Sequence, residues 1–213
     1  MRRIRLSAAV VASALALAAC DGGSTGPGSS TGSLSFHFAG SSAGDFSASG
    51  DLPRAGTTPA VQFVAAVRDS SGEEPIVALV GFQPTVGGRG HLVEFDMQDL
   101  RGERTLSLAE SCYDQATLAG CAIALIGLNY DLSTSQSVAG EESYLSDAGT
   151  VHITNATATR LQGTFSGHAT ELELAHEITL TQGQFDVPFV PLGALGLNRL
   201  PAAGRISLSR LRR

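Results

Sequence analysis

Hydrophobic and polar residues alternate along most of the chain in short runs that end at glycine, proline, aspartate or serine. Alternation with a period of two places successive side chains on opposite faces of a strand, so it predicts β-strands with one buried face. A helix would also fit the segment 118–128, although Gly120 and Gly127 weaken that alternative. In this part of the chain, strands are predicted at 34–38, 45–50, 61–67, 76–82, 91–97, 105–108 and 122–130.

The C-terminal half has the clearest pattern. Val151 and Ile153 lie on one face of a first run, and Leu161 and Phe165 lie on one face of a second run. Runs of this kind, joined by short turns, predict an antiparallel meander with one buried face. Pro188 is predicted to end the ladder of this meander because proline has no backbone N–H to donate. The three runs of the meander are 149–154, 161–167 and 177–187.

These runs together predict a single all-β domain over residues 34–190. Its architecture is either an antiparallel β-sandwich or a partly closed β-barrel of about nine to ten strands. Both architectures stay open, because alternation alone does not specify strand register or closure. The C-terminal tail, 191–213, departs from the pattern, although 205–209 has the alternation of an added edge strand.

The first twenty residues have the composition of a secretory leader. Three arginines precede an apolar stretch, 6–17, and small residues follow it. The stretch is too short for a membrane-spanning helix, which needs about 20 apolar residues, and no later segment is long and apolar enough either. The sequence Leu17-Ala-Ala-Cys20 resembles the lipobox of bacterial lipoprotein signal peptides. The resemblance implies that a signal peptide, 1–19, is removed and that Cys20 becomes an acylated N-terminus.

Acylation of Cys20 would make membrane lipid a partner of the chain and would place the chain in the bacterial cell envelope. Several acyl chains hold a protein at a membrane far better than one, since each buried methylene contributes about 0.8 kcal/mol. Residues 21–33 contain no large apolar side chain and predict a flexible tether with a reach of about 20 Å. Asp21 resembles an inner-membrane retention signal of enterobacteria, but the choice between inner and outer membrane stays open. A secretory signal with a chance cysteine is the alternative.

Charge is distributed unevenly along the chain. Residues 21–187 contain 20 acidic side chains and six arginines, whereas the residues after Val187 contain five arginines and no acid. An acidic domain argues against nucleic acid as a partner. The basic tail is either solvated or in contact with anionic headgroups or the acidic domain. The chain has no lysine, which excludes a Walker A loop and a Schiff-base lysine.

Cys112 and Cys121 remain as a pair once Cys20 is acylated. An even number of cysteines outside the cytoplasm predicts a disulfide. Closing this loop would contribute about 2.5–3 kcal/mol in the chain-entropy model. Free thiols and metal ligation are the alternatives, although the sequence has no CxxC or HxxxH spacing for a metal site.

Candidate catalytic residues do not form a recognisable constellation, and the sequence predicts no catalytic residue, cofactor or metal site. GxSxG strings occur at 28–32 and 40–44, but one lies in the tether and the other in a hairpin turn. A nucleophile elbow needs a strand before it and a helix after it. The carboxylates near the end of the 91–97 run alternate as on a solvent-facing side, which disfavours a calcium site. A hydrolase would need at least two of Glu94, Asp96, His152 and His168 to converge, and strand register could bring the two histidines together.

Three segments of the C-terminal half carry a further resemblance: Gly149–Thr154, Leu161–Gly167 and Ile178–Pro188. They are similar to the closing strands of bacterial secreted lipoproteins in which a GTVxIT…GTFSG…ITxTxGxFDVP pattern ends an all-β domain of uncharacterised function. The resemblance implies an all-β exported lipoprotein and carries no catalytic residue. The leading hypothesis is therefore a non-enzymatic envelope lipoprotein that binds a protein or small molecule or has a structural role. The alternatives are a lipocalin-like carrier of an apolar ligand and a hydrolase.

Overall fold

The computed structural model describes residues 31–51, 62–69, 76–98, 101–113, 118–130, 141–171 and 176–191. The predicted signal peptide, Cys20, most of the tether and the tail after Pro191 lie outside the described residues. Within those residues the predicted all-β class is confirmed, with ten strands and two short 3-10 turns, at Val86–Gly88 and Glu110–Cys112. The strands are β1 (Gly32–Gly40), β2 (Gly44–Gly50), β3 (Phe63–Asp69), β4 (Ile76–Pro84), β5 (Gly90–Gln98), β6 (Arg104–Leu108), β7 (Cys121–Tyr130), β8 (Glu142–Ala156), β9 (Arg160–Glu171) and β10 (Glu177–Val190).

The ten strands are hydrogen-bonded into one ring-like sheet. On one side, which we call the six-strand sheet, the order is β2-β1-β10-β9-β8-β6, and on the other, the four-strand sheet, it is β3-β4-β5-β7. Strand β10 joins the two sides at one corner by a short parallel pairing with β3, and β7 joins them at the other by pairing with β8 and β6. All other neighbours are antiparallel, including the predicted β8–β9–β10 meander.

Polar side chains complete the hydrogen bonding at both corners. The ladder partner of β7 changes from β6 to β8 near Ala124, and the Ala124 N–H donates to Oγ of the buried Ser146 at 2.9 Å. At the other corner, the Arg68 guanidinium donates to the backbone oxygens of Thr157 and Ala158, at 2.6 and 2.9 Å. It also stacks 3.6 Å over the Phe189 ring. These contacts satisfy backbone groups where the regular ladder is interrupted.

Phenylalanine rings fill the middle of the space between the two sheets. The rings of Phe95 and Phe165 come from opposite sheets, and their centroids are 4.7 Å apart. Phe36 packs against Phe165 at 5.5 Å and against Phe46 at 5.0 Å. Gly81 leaves room for this cluster, because a Cβ there would lie 3.2 Å from the Phe46 ring. The inward positions of nearly every strand contribute to this core.

The strand predicted at 122–130 is confirmed as β7, so the helix considered for 118–128 is not formed. The antiparallel ladder between β9 and β10 ends at Pro188, as predicted, although strand β10 itself continues to Val190. Beyond the proline, the Phe189 N–H donates to the Thr159 oxygen at 2.9 Å. The strand then moves beside β3 in parallel orientation.

The structure supports the predicted pairing of Cys112 with Cys121. Their Cα atoms are 5.8 Å apart, and both residues are buried. The disulfide fastens the 3-10 turn before it to the first residue of β7, where it packs against Ile123. Within the described residues, no helix has the length and apolar character needed to cross a membrane.

Replacement of Phe165 by alanine tests the central role of the ring cluster. Phe165→Ala removes a ring that touches residues from both sheets, and it should lower the free energy of unfolding by about 3–5 kcal/mol. Chemical denaturation measures this difference. Val86→Ala, at a side chain that is 96% exposed, is the control and should change stability by less than about 0.5 kcal/mol. An equally small change in stability for Phe165→Ala would contradict the central role of the ring cluster.

Candidate functional site

A groove of about 370 Å³ opens on the outer face of the six-strand sheet. It crosses β1, β8, β9 and β10. On these strands the inward side chains fill the core, and the outward side chains are mostly polar. Hydroxyl, amide and carboxylate groups line it, so it offers both hydrogen-bond donors and acceptors to a polar ligand. The lining residues are Ser33, Thr154, Gln162, Gly163, Thr164, Gln184, Phe185 and Asp186.

The side chains around this groove are held by neighbours on the same face. Arg160 Nε donates to Asp186 Oδ1, at one end of the groove. Gln184 Nε2 donates to Ser35 Oγ at 3.2 Å, and Gln162 Oε1 accepts from an asparagine amide at 3.0 Å. The groove is therefore partly pre-organised, which lowers the entropy lost when a ligand binds.

His168 lies between two carboxylates on the same sheet. Its Nδ1 is 2.7 Å from Asp147 Oδ1, and its Nε2 is 3.4 Å from Glu177 Oε2. The hydrogen bond with Asp147 raises the pKa of His168, and the charges of both carboxylates add to this effect. Partial burial alone would raise the pKa of Asp147, but hydrogen bonds from Thr170 and His168 outweigh it and lower that pKa. Because Nε2 faces a carboxylate and not a hydroxyl, this arrangement is an ion-pair cluster and not a nucleophilic triad.

His152 and His168 do not meet, so the expectation that register could bring them close is wrong. His152 lies opposite Thr164, whereas His168 lies opposite Ala148 at the other end of the hairpin. His152 is hydrogen-bonded to Thr105 at 3.1 Å and lies 3.5 Å from Glu103. The two histidines thus lie beside different carboxylates, on separate parts of the sheet.

Glu94 and Asp96 lie on the outer face of the four-strand sheet, two residues apart on β5. Glu94 is placed between Val80 of β4 and Leu125 of β7. Asp96 is placed in the same way between an alanine and an isoleucine. Burial raises the pKa of Glu94 to about 8, with the Asp96 charge adding to the effect, and burial raises the pKa of Asp96 to about 6.

Glu94 and Asp96 are half-buried, so this side of β5 is less open to solvent than alternation alone predicts. The alternation within β5 correctly indicates two different faces, and apolar side chains of β4 and β7 flank the carboxylates on the outer one. The apolar runs at 76–82 and 122–130 were the signal for this. Of the other carboxylates near this end of the strand, Asp99 lies outside the described residues, and Glu103 lies 3.5 Å from His152.

Ser42, in the second GxSxG string, occupies the turn between β1 and β2, as predicted. Its Oγ donates to Glu142 Oε2 at 2.6 Å, and the Tyr144 hydroxyl donates to the same oxygen at 2.7 Å. Burial raises the pKa of the Tyr144 phenol to about 12, and its hydrogen bond to Glu142 adds to this effect, so the phenol stays protonated and acts as a donor. Nearby, His176 Nδ1 is 2.9 Å from the buried Glu171 Oε2, at ion-pair distance but outside hydrogen-bond geometry. Both serines of the first GxSxG string, at 28–32, lie outside the described residues.

Within the ranges that the structure describes, no three His, Cys, Asp or Glu side chains are grouped as metal ligands would be. A scan against models of protein families, a search of curated proteins and a search of solved structures each found no match. The site must therefore be interpreted from its own residues.

The titration of His168 tests the ion-pair cluster. A pKa raised in the folded state means that this histidine stabilises the fold most below its usual pKa of 6.5, and that the contribution is lost as pH rises through the raised value. Asp147→Asn should lower the His168 pKa and reduce the loss of stability between pH 5 and pH 8. NMR titration of the imidazole and denaturation at the two pH values measure both effects. Asp45→Asn, beside His37 on another strand, is the control, and an unchanged His168 pKa in Asp147→Asn would contradict the assignment.

Proposed function

We propose that this chain is an exported lipoprotein, anchored in the bacterial cell envelope through acylated Cys20, whose β-domain is a binding module. The observation that carries the proposal is the leader that ends in Leu17-Ala-Ala-Cys20. The disulfide between Cys112 and Cys121 agrees with it, because disulfides persist on the oxidising side of a membrane. The polar groove on the six-strand sheet is the surface that we assign to ligand binding.

A carrier with an apolar interior is the less favoured alternative. Such a carrier needs an enclosed space between its sheets. Here the rings of Phe36, Phe46, Phe95 and Phe165 are in contact across that space. The observation that favours the groove is that its side chains are polar, reachable from solvent and already oriented by hydrogen bonds.

The anchor is tested by intact mass and by partition between detergent and water. The expressed protein should have the mass of residues 20–213 plus lipid and should enter the detergent phase. Cys20→Ser should lack the lipid mass, and any of it from which the leader has been removed should stay in the aqueous phase, because the tether offers no other apolar group. Ser24→Ala, in the same tether, is the control and should behave as the wild type. An unlipidated wild type, or a leader-free Cys20→Ser protein that still enters detergent, would overturn the anchor.

The groove is tested by thermal-shift screening with neutral sugars and short polar peptides. A ligand present at 100 times its Kd should stabilise the protein by about 2.7 kcal/mol. Thr164→Arg places a large side chain in the groove and should abolish the shift. Ser166→Arg adds the same charge two residues away on the same exposed face and should retain it. Equal shifts in both variants would show that the ligand binds elsewhere.

A further inference from the structure

Two rows of polar side chains border the groove on the outer face of the six-strand sheet. Strand register places Ser33 beside Asp186 and Asp186 beside Gln162, which gives one row across β1, β10 and β9. In the second row, Gln184 lies beside Thr164 on the last two of these strands. Side chains two residues apart on a strand point to the same face, about 6.6 Å from each other. The groove is therefore a channel between two rows, and it runs across the strands.

Backbone forms the floor of this channel. Phe185 and Gly163 lie opposite each other between the two rows, and a Cβ at Gly163 would be 2.5 Å from the Phe185 ring in the core. Strands β9 and β10 each have a ladder partner on both sides. An extended peptide cannot pair with them as an added strand, because strand addition needs a free sheet edge. A ligand in the channel must therefore bind through the side chains of the two rows.

Hydrogen bonds within this surface determine which groups face a ligand. Gln162 Oε1 accepts from the Asn155 amide at 3.0 Å, so Gln162 Nε2 is placed to donate. Gln184 Nε2 donates to Ser35 Oγ at 3.2 Å, so Gln184 Oε1 is placed to accept. The Thr164 hydroxyl can do either. Because a hydroxyl group also both donates and accepts, a ligand that carries many hydroxyl groups matches all of these side chains.

The charges at the channel favour a neutral ligand. Asp186 lines it, and Arg160 Nε donates to Asp186 Oδ1. A cationic ligand would have to compete with Arg160 for this carboxylate, whereas an anionic ligand would be repelled by it. The rest of the domain adds to that repulsion, since residues 21–187 contain 20 acidic side chains and six arginines.

The dimensions of the channel suit a short part of a linear chain. It crosses β1, β10, β9 and β8, and three strand spacings amount to about 14 Å. Its volume is about 370 Å³. Phe185, the aromatic residue among those that line it, directs its ring into the core, so the ligand is not held by stacking on that ring. Affinity then depends on the number of hydrogen bonds, which increases with each unit of the chain that lies in the channel.

We propose that the channel binds a neutral glycan of β-1,4-linked sugars, lying across the strands and hydrogen-bonded to Gln162, Gln184 and Thr164. Glycans with this linkage are extended and carry hydroxyl groups along both edges, so they can face both rows at once. This inference rests on the proposed assignment of the groove to ligand binding, and it names the class of ligand.

Titration calorimetry on the full-length protein, purified in a detergent without a sugar headgroup, tests the proposal. The probes are β-1,4-linked oligomers of glucose and of N-acetylglucosamine, with one to six units. At least one of the two tetramers should bind about tenfold or more tightly than its monosaccharide, since two added hydrogen bonds contribute about that factor. A tetramer of galacturonate, which is anionic, should bind at least about tenfold more weakly than that neutral tetramer. Failure of both neutral tetramers to bind, or equal binding of the anionic one, would overturn the proposal.

Side-chain variants locate the bound glycan. Gln162→Ala/Gln184→Ala removes one amide from each row and should weaken binding of the tetramer at least about tenfold. The matched control, Gln62→Ala/Gln98→Ala, removes two glutamine amides outside the groove and should bind as the wild type. Equal affinities of the two double variants would refute the inference. A short polar peptide that binds in place of the glycans, and is lost in Thr164→Arg, would refute the glycan and keep the groove. Glycan binding that survives Thr164→Arg would refute the groove as well.

Discussion

The contact between Phe95 and Phe165 is the interaction on which the rest of the structure depends. It joins the two sides of the ring at its centre, with 4.7 Å between ring centroids. Aromatic rings bury more area than other side chains, and tilted pairs add a favourable electrostatic term. Because the inward side chains of the strands pack into this core, functional groups are confined to the outer faces, the corners and the ends of the sheet.

The two outer faces differ in character. In the six-strand sheet polar and apolar positions alternate, apart from β-bulges in β1, β8 and β10, so its outer face carries serine, threonine, glutamine and histidine. On the outer face of the four-strand sheet, apolar residues of β4 and β7 flank Glu94 and Asp96, and both carboxylates are half-buried. Exposed hydrogen-bonding groups are therefore concentrated on the six-strand side.

How much the sequence could predict differs from element to element. The closing meander was predictable because each of its strands has one polar and one apolar face. The cysteine pairing was predictable because Cys112 and Cys121 are the two cysteines that remain once Cys20 is set aside as a candidate for acylation. Pro188 ends the β9–β10 ladder as its missing N–H predicts, but the pairing of the next two residues with β3 is a property of the register and could not be predicted. For Glu94 and Asp96, alternation identified the two faces of β5, but the access of solvent to the outer face is decided by the neighbouring strands β4 and β7.

Ring closure also sets the order in which this chain can fold. Strand β10 is the last element along the chain, yet it pairs with β1 at the beginning, with β9, and with β3. Loop closure over so many residues costs entropy before the contacts repay it, so folds of high contact order form slowly. The core cannot close around Phe165 until β10 is in place, since β10 bridges the two sheets at one corner. The disulfide, which closes a short local loop, does not need that closure and can form first.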